Sequence, residues 1–210
     1  MTQDTTLTRA ERNRQQLRAD IIQAAFEEFA ARGYHQTAIS DIAKRLGIGH
    51  GTFYRYFQNK RDILEQVIND VAARIMGALS EENAPDAATN LADYREQVAR
   101  ISRRLTAILS ENPATGRLLL LEATSIDPEM TERVLNLMDW AGQITAAYME
   151  NGVKLGFFRP DLDTLATGHA VVGMVLGSVL RYLRRPEDRE EQKRLGEAIQ
   201  RLLVDGVALH

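Results

Sequence analysis

The segment His50-Gly51-Thr52-Phe53-Tyr54-Arg55-Tyr56 concentrates side chains suited to reading a polyanion. Arg55 carries the planar fork that fits the O6 and N7 edge of guanine. The Thr52 methyl can meet the methyl of thymine, and the hydroxyls of Tyr54 and Tyr56 can donate to phosphate oxygens. Phe53 and Phe57, four apart, mark the side that a short helix would turn inward. Residues for covalent or metal chemistry are not assembled anywhere. The absence of cysteine from 210 residues excludes thiol nucleophiles, disulfides and thiolate zinc sites, and fits a reducing compartment. The four histidines, at 35, 50, 169 and 210, have no ligand-like spacing, so neither a metal nor a cofactor is expected. No serine or threonine with a plausible base, no phosphate-cradling glycine loop and no metal-spaced acidic cluster is present, which argues against an enzyme.

To enter a major groove about 12 Å wide, the reading segment must project from a helix that a second helix braces. The surrounding pattern supplies both. Apolar residues recur at spacings of three and four, and alternating strand patterns are missing, so the chain is expected to be all-α with about nine helices. Leu17, Ile21, Ala25 and Phe29, widened by Ile22 and Phe26, make the first stripe, which Gly33 ends. Thr37 is the expected N-cap of a second helix bearing Ile39, Ile42, Ala43 and Leu46 and stopping at Gly47. Three residues, 47–49, separate it from a reading helix expected over His50–Tyr56. Asn59 with Asp62 then opens a long helix from Lys60 to about Leu79. A helix, a glycine turn and a helix packed on a longer predecessor make a helix-turn-helix. Arg9, Arg12 and Arg14 precede the first stripe in a polar segment, where they are expected to form an arm along the DNA backbone or minor groove.

The runs Ile21-Ile22-Gln23-Ala24-Ala25 to Phe29, Gly33-Tyr34, Thr37-Ala38-Ile39-Ser40-Asp41-Ile42-Ala43, Leu46-Gly47-Ile48, Gly51 to Phe57 and Asn59-Lys60 give residues 14–62 a close resemblance to the DNA-binding head of TetR-family transcriptional regulators. The resemblance implies that Thr37 and Ser40 approach DNA from the bracing helix. It further implies that His50, Gly51, Thr52, Tyr54, Arg55 and Tyr56 form the reading helix and that Lys60 binds phosphate from the start of the fourth helix. Gly49 stands where many members carry serine; it can still cap the helix but brings no hydroxyl to a phosphate. The same resemblance implies an arm and DNA-binding domain over residues 1–62 and a ligand-binding and dimerisation domain over 63–210. Such a protein is a homodimer on a palindromic double-stranded operator, joined through its last two long helices and switched by a small-molecule inducer among the middle ones.

Charge follows the same division. Residues 1–62 hold ten Lys/Arg against seven Asp/Glu, and the remainder sixteen against twenty-two, so a mildly basic head sits on an acidic body. In the body, helical patterns are expected over Leu91–Glu111, Ala114–Thr124, Pro128–Leu155, Leu162–Leu183 and Pro186–Val207. The breaks fall at residues 80–90, Asn112-Pro113, Asp127-Pro128 and the loop Gly156–Asp163. No charge falls between Asp163 and Arg181, so the eighth helix needs apolar partners on several sides. Leu165, His169, Gly173, Leu176, Gly177 and Leu180, with Ile199 and Leu203 on the last helix, are the expected dimer interface, Gly173 and Gly177 allowing close approach. The uncharged run is shorter than the roughly 20 residues of a membrane span and contains Thr164, Thr167, Ser178 and three glycines, so no membrane segment is expected. Leu119, Glu122, Met138, Trp140 and Tyr148 are candidates for lining an inducer cavity. Each also reads as ordinary core, and Glu122 as a carboxylate that is exposed or paired with arginine. The N-terminus lacks the apolar stretch of a secretory signal, so a cytoplasmic location is expected. These readings converge on a ligand-responsive DNA-binding regulator, most simply a repressor released from its operator by a rather apolar molecule. An activator and a non-catalytic helical adaptor protein are the alternatives, and the basic, aromatic reading helix disfavours the adaptor.

Overall fold

The computed structural model describes residues 8–111 and 114–208; the expected break at Asn112-Pro113, the first seven residues of the expected arm and His210 lie outside them. Nine α-helices occur among the described residues: α1 Arg9–Arg32, α2 Ile39–Leu46, α3 His50–Tyr54, α4 Lys60–Ala78, α5 Leu91–Glu111, α6 Ala114–Arg117, α7 Pro128–Lys154, α8 Thr164–Arg184 and α9 Arg189–Asp205. The fold is all-α, with a single antiparallel bridge between Phe158 and Ala208. The chain divides into two compact units, Met1–Val71 and Ala72–His210, and α4 runs continuously through the division.

In the first unit, α1 starts earlier than its apolar stripe suggests. Thr8 Oγ1 accepts the Glu11 N–H at 3.2 Å and the Glu11 carboxylate accepts the Thr8 N–H at 2.7 Å, a reciprocal capping box. Arg9, Arg12 and Arg14 therefore lie within α1 rather than in a preceding arm. Ile21, Ala24, Ala25, Phe26 and Phe29 form its buried face. The N-cap of α2 is Ala38 rather than Thr37, and the Ala38 N–H is met by Asp41 Oδ2 at 2.9 Å. Gly47 closes α2 in the left-handed region, φ 65° and ψ 27°, where a side chain would strain the backbone. At the start of α4, Asn59 Oδ1 accepts the Asp62 N–H at 2.9 Å while Asp62 accepts the Gln58 N–H at 3.0 Å.

In the second unit, Tyr94, Tyr148, Met149, Phe158, Val171, Leu203, Val204 and Val207 form one core cluster. Asp127 caps α7 through the Met130 N–H at 2.8 Å, with Pro128 in the first turn. Helices α7 and α8 cross backbone to backbone: a Cβ at Gly168 would lie 2.4 Å from the Gly142 carbonyl oxygen and 2.7 Å from the Ala146 nitrogen. The helix expected over Ala114–Thr124 is not uniform. After α6 comes a π turn over Leu118–Glu122 and a 3₁₀ turn over Ala123–Ser125. The Ala123 N–H reaches back five residues to the Leu118 carbonyl, which brings both of these buried residues toward one side, whereas an α-helix would set them on nearly opposite sides.

Candidate nucleic-acid interface

The left-handed Gly47 lets the chain reverse direction within three residues, and the turn is closed by the Ile48 N–H on the Ala43 carbonyl at 3.0 Å. Helix α3 follows with Gly49 as a backbone-only cap, its carbonyl accepting from the Thr52 and Phe53 N–H groups. Phe53 and Phe57 are buried, their ring centroids 5.9 Å apart, and they fix which face of α3 turns outward. On that outer face His50, Gly51, Tyr54 and Arg55 are exposed and Thr52 and Tyr56 partly so. The α-helix itself ends at Tyr54, so Arg55 and Tyr56 stand just beyond its last turn. Arg55 donates one long hydrogen bond, 3.5 Å, to Thr52 Oγ1 and makes no ion pair among the described residues, which leaves its fork open to a base edge. Ser40 is exposed on α2.

Two residues assigned to DNA by resemblance make contacts inside the head. Thr37 is only 2% exposed, and its hydroxyl donates to the Gly33 carbonyl at 2.9 Å and to the Glu28 carbonyl at 3.2 Å, so it locks the turn between α1 and α2. Lys60 lies partly buried at the start of α4. Its Nζ donates to the carbonyls of Tyr34 at 2.7 Å and Thr37 at 3.0 Å, more weakly to that of His35 at 3.5 Å, and sits 4.3 Å from the centre of the Tyr34 ring. Burial lowers its pKa from the ordinary lysine value. The sequence cannot reveal either arrangement, because both depend on which carbonyls the turn brings within reach.

Conversely, Lys44 is absent from the expected set, although it lies exposed four residues after Ser40 on α2 and forms no ion pair among the described residues. Its i, i+4 spacing from Ser40 was the available signal. Three other cations of α1 and α2 are engaged. Arg45 pairs with Glu27 and with Glu28 at 3.1 Å, and Arg32 with Glu28 at 3.4 Å and Asp41 at 3.5 Å, a network that ties α1 to α2. Arg18 donates to Gln66 at 2.7 Å and lies over the Phe57 ring. Among the described residues of the head, Arg9, Arg12, Arg14 and Lys44 carry no ion pair or side-chain hydrogen bond, and Arg55 only the one to Thr52.

The body holds a cavity of about 170 Å³ between α5, α8 and α9. Leu105, Val175, Val179, Leu195 and Ile199 give it an apolar lining, and at its polar side the Glu191 carboxylate accepts from Arg181 Nε at 2.7 Å. None of Leu119, Glu122, Met138, Trp140 and Tyr148 lines it. Tyr148 is core: its hydroxyl donates to the Asn83 carbonyl at 2.6 Å, and burial pushes its pKa up to about 12. Glu122 pairs with Arg117 at 3.2 Å, and Leu119, Met138 and Trp140 are half-buried. The contact of α7 with α8 is built on Gly142, Ala146 and Gly168, and the space lies between α5, α8 and α9.

On the outer side of α8 and α9, Leu165, Leu180 and Leu202 are 52%, 48% and 61% exposed. A Cβ at Gly173 or Gly177 would meet nothing within 4 Å. Leu176 is half-buried. Leu203 is not on this face; it belongs to the core cluster, and the exposed leucine is its neighbour, a one-residue shift along α9. His169 joins α8 to α7, with Nδ1 2.9 Å from the Leu165 carbonyl oxygen and Nε2 2.9 Å from Asp139 Oδ1. Helix α8 is long and apolar enough, by length and composition, to cross a membrane; it packs backbone to backbone on α7 at Gly168. Among the described residues no cluster of histidine and carboxylate could hold a metal.

Residues 21–67 match the profile of the bacterial regulatory proteins, tetR family. The chain is 25% identical over 187 residues to the fatty acid metabolism regulator protein of Bacillus subtilis, spanning 89% of this chain and 93% of that one. It is also 25% identical over 183 residues to the transcriptional regulator TtgR of Pseudomonas putida, spanning 85% and 86%. Among solved structures, the fold is shared with the regulator FadR from Bacillus subtilis in complex with stearoyl-CoA, with a TM-score of 0.74 at 24% identity over 91% of this chain and 99% of that one. It is likewise shared with FadR from Bacillus halodurans, with a TM-score of 0.75 at 23% identity over 90% and 95%.

Proposed function

We propose that this chain, a member of the tetR family of bacterial regulatory proteins, is a homodimeric repressor that leaves a palindromic operator when a small, rather apolar molecule enters the cavity beside α8 and α9. In this reading residues 1–62 bind DNA, residues 63–210 bind ligand and the second copy, and the protein acts in the cytoplasm. The observation that carries the DNA-binding role is the outer face of α3, where Thr52, Tyr54 and Arg55 project while Phe53 and Phe57 anchor the other side. Thr52 and Arg55 then meet base edges, and the tyrosine hydroxyls, Ser40 and the backbone about Gly49 meet phosphates.

The ligand reading is supported by the cavity's apolar lining and by the stearoyl-CoA held by the Bacillus subtilis FadR. At about 170 Å³ the space is similar to the roughly 150 Å³ cavity that accepts benzene. A long acyl chain exceeds this volume, so it enters fully where α5, α8 and α9 move apart or where it runs on into the adjoining groove of α8 and α9, about 650 Å³, which shares Ser178, Leu195 and Ile199. In this reading the ligand wedges the three helices and so has unequal affinity for two arrangements of the body, which is the condition for it to shift DNA binding. By linkage, operator DNA must weaken ligand binding by the same factor, typically 5–150-fold. The test is a gel shift with the DNA upstream of the protein's own coding sequence, repeated with the small molecules that co-purify with the protein. Loss of the shifted band on ligand addition supports the reading. Ligand and duplex that bind independently leave a DNA-binding dimer without a chemical switch, and a protein that binds no duplex is an adaptor.

A further inference from the structure

We infer that the molecule taken up between α5, α8 and α9 is an amphipathic anion whose charged group is held by Arg185 and by the unused donors of Arg181; the inference rests on the ligand reading above. The argument is one of charge at the polar side of an otherwise apolar space. Among the described residues, the charged side chains that line the cavity are Arg181, Arg185 and Glu191, and the adjoining groove shares Arg181 and Glu191 and adds Arg194. Three guanidiniums are thus set against one carboxylate. That carboxylate is already engaged: Glu191 Oε1 accepts from Arg181 Nε at 2.7 Å and from Arg181 Nη2. Both bonds end on a single oxygen, so they use two of the five N–H groups of this guanidinium and leave three. Arg185 makes no ion pair and no side-chain hydrogen bond among the described residues, and its planar fork matches the two oxygens of a carboxylate or a phosphate. A cationic molecule would meet an excess of like charge whose one counter-ion is occupied. A neutral molecule would leave the donors of Arg185 without an acceptor. An anion answers them, while Leu105, Val175, Val179, Leu195 and Ile199 enclose its apolar body. A space of about 170 Å³ suits a body near the size of one benzene ring, which a cavity of roughly 150 Å³ accepts.

The experiment is calorimetric titration of the full chain, at neutral pH, with four probes that share a benzene ring and differ in the charge they carry. Phenylacetate and phenyl phosphate are anionic, phenylacetamide is neutral and 2-phenylethylamine is cationic. At least one anion is expected to bind about tenfold more tightly than the amide and the amine, the gain of one hydrogen-bonded charge pair, and the tighter of the two anions names the group. The ratio of anion to amide affinity is read in the variants, because a general loosening of the body affects both probes alike and cancels. Arg185→Gln is expected to bring that ratio close to one, and Glu191→Gln, which frees Arg181, to raise it. Leu105→Trp is expected to abolish binding of every probe. An amide or amine that binds as tightly as both anions overturns the assignment of the charge and leaves the cavity as a ligand site, as does a ratio that Arg185→Gln leaves unchanged. Anion binding that persists in Leu105→Trp is attraction to surface arginines and overturns the inference as well. Failure of all four probes to bind removes the cavity as the ligand site, and with it both this inference and the ligand half of the proposed function, while the DNA-binding half stands.

Discussion

Two glycines one and a half turns apart on α8 should respond in opposite ways to the same added methyl. Replacing an exposed helical glycine by alanine stabilises a helix by about 1 kcal/mol, because the unfolded chain loses less freedom on folding. At Gly173 the new Cβ meets nothing within 4 Å, so the single chain gains that amount, a rise in melting temperature of roughly 2–4 °C for a protein of this size. At Gly168 the Cβ would lie 2.4 Å from the Gly142 oxygen and 2.7 Å from the Ala146 nitrogen. Both are backbone atoms that cannot swing away, so overpacking of about 1–3 kcal/mol opposes the gain and Gly168→Ala is neutral to about 2 kcal/mol less stable. The proposed dimer changes the expectation at Gly173 alone. If a second copy covers Leu165, Gly173, Gly177 and Leu180, the methyl intrudes on the partner, the thermal gain disappears and the dimer dissociates more readily. Melting curves by circular dichroism and light scattering over a range of protein concentrations separate these cases. A Gly173→Ala protein that is roughly 2–4 °C more stable and dimerises as tightly as wild type would refute this placement of the interface, and Gly173→Glu that remains dimeric would do so more bluntly. A Gly168→Ala protein more stable than wild type would refute the packing argument itself.

The elements were legible because their determinants are local. The stripe from Leu17 to Phe29 repeats every helical turn, Gly47 is where only a left-handed residue fits, and Asn59 with Asp62 and Asp127 with Pro128 carry their caps within three residues. The capping box at Thr8 and Glu11 is equally local, and it places Arg9, Arg12 and Arg14 inside α1. What was not legible depends on contacts distant in sequence. Thr37 and Lys60 are polar residues at positions that could face DNA or the head's own turn, and their contacts within the head are with carbonyls as far as 26 residues away. The cavity eluded the pattern for a related reason. Apolar residues announce that a face is buried, whereas a void arises where three helices fail to meet, which neither Trp140 nor Tyr148 could signal. The π turn at Leu118–Glu122 shifts the register of its leucines, and Leu203 lies one residue from the position that faces outward, since a boundary between two apolar faces of one helix leaves no polar marker.

Three further outcomes are expected. Arg55→Ala should cost about 1–3 kcal/mol on the operator and relax preference at one base position; equal losses on operator and random duplex would exclude base reading. Leu105→Trp should fill the cavity and abolish release by ligand while DNA binding persists, and Leu119→Trp, which lies outside the cavity, should leave release intact; the reverse pattern, read by gel shift, would move the ligand site to the middle helices. The last concerns His169. Its two ring nitrogens face two acceptors, the Leu165 carbonyl and the Asp139 carboxylate, and only the imidazolium has an N–H for each. The carbonyl first, then the carboxylate, raises its pKa above the ordinary 6.5. A group whose pKa is raised on folding contributes fully below the unfolded value and loses that contribution as pH rises through the folded one. The tie between α7 and α8 should therefore be complete below about pH 6.5 and weaken above it, and His169→Gln should flatten this part of the stability profile. Asp139→Asn should lower the His169 titration midpoint followed by proton NMR. A wild-type midpoint at or below 6.5 would mean that the ring holds a single proton and that one of the two contacts is not a hydrogen bond in solution.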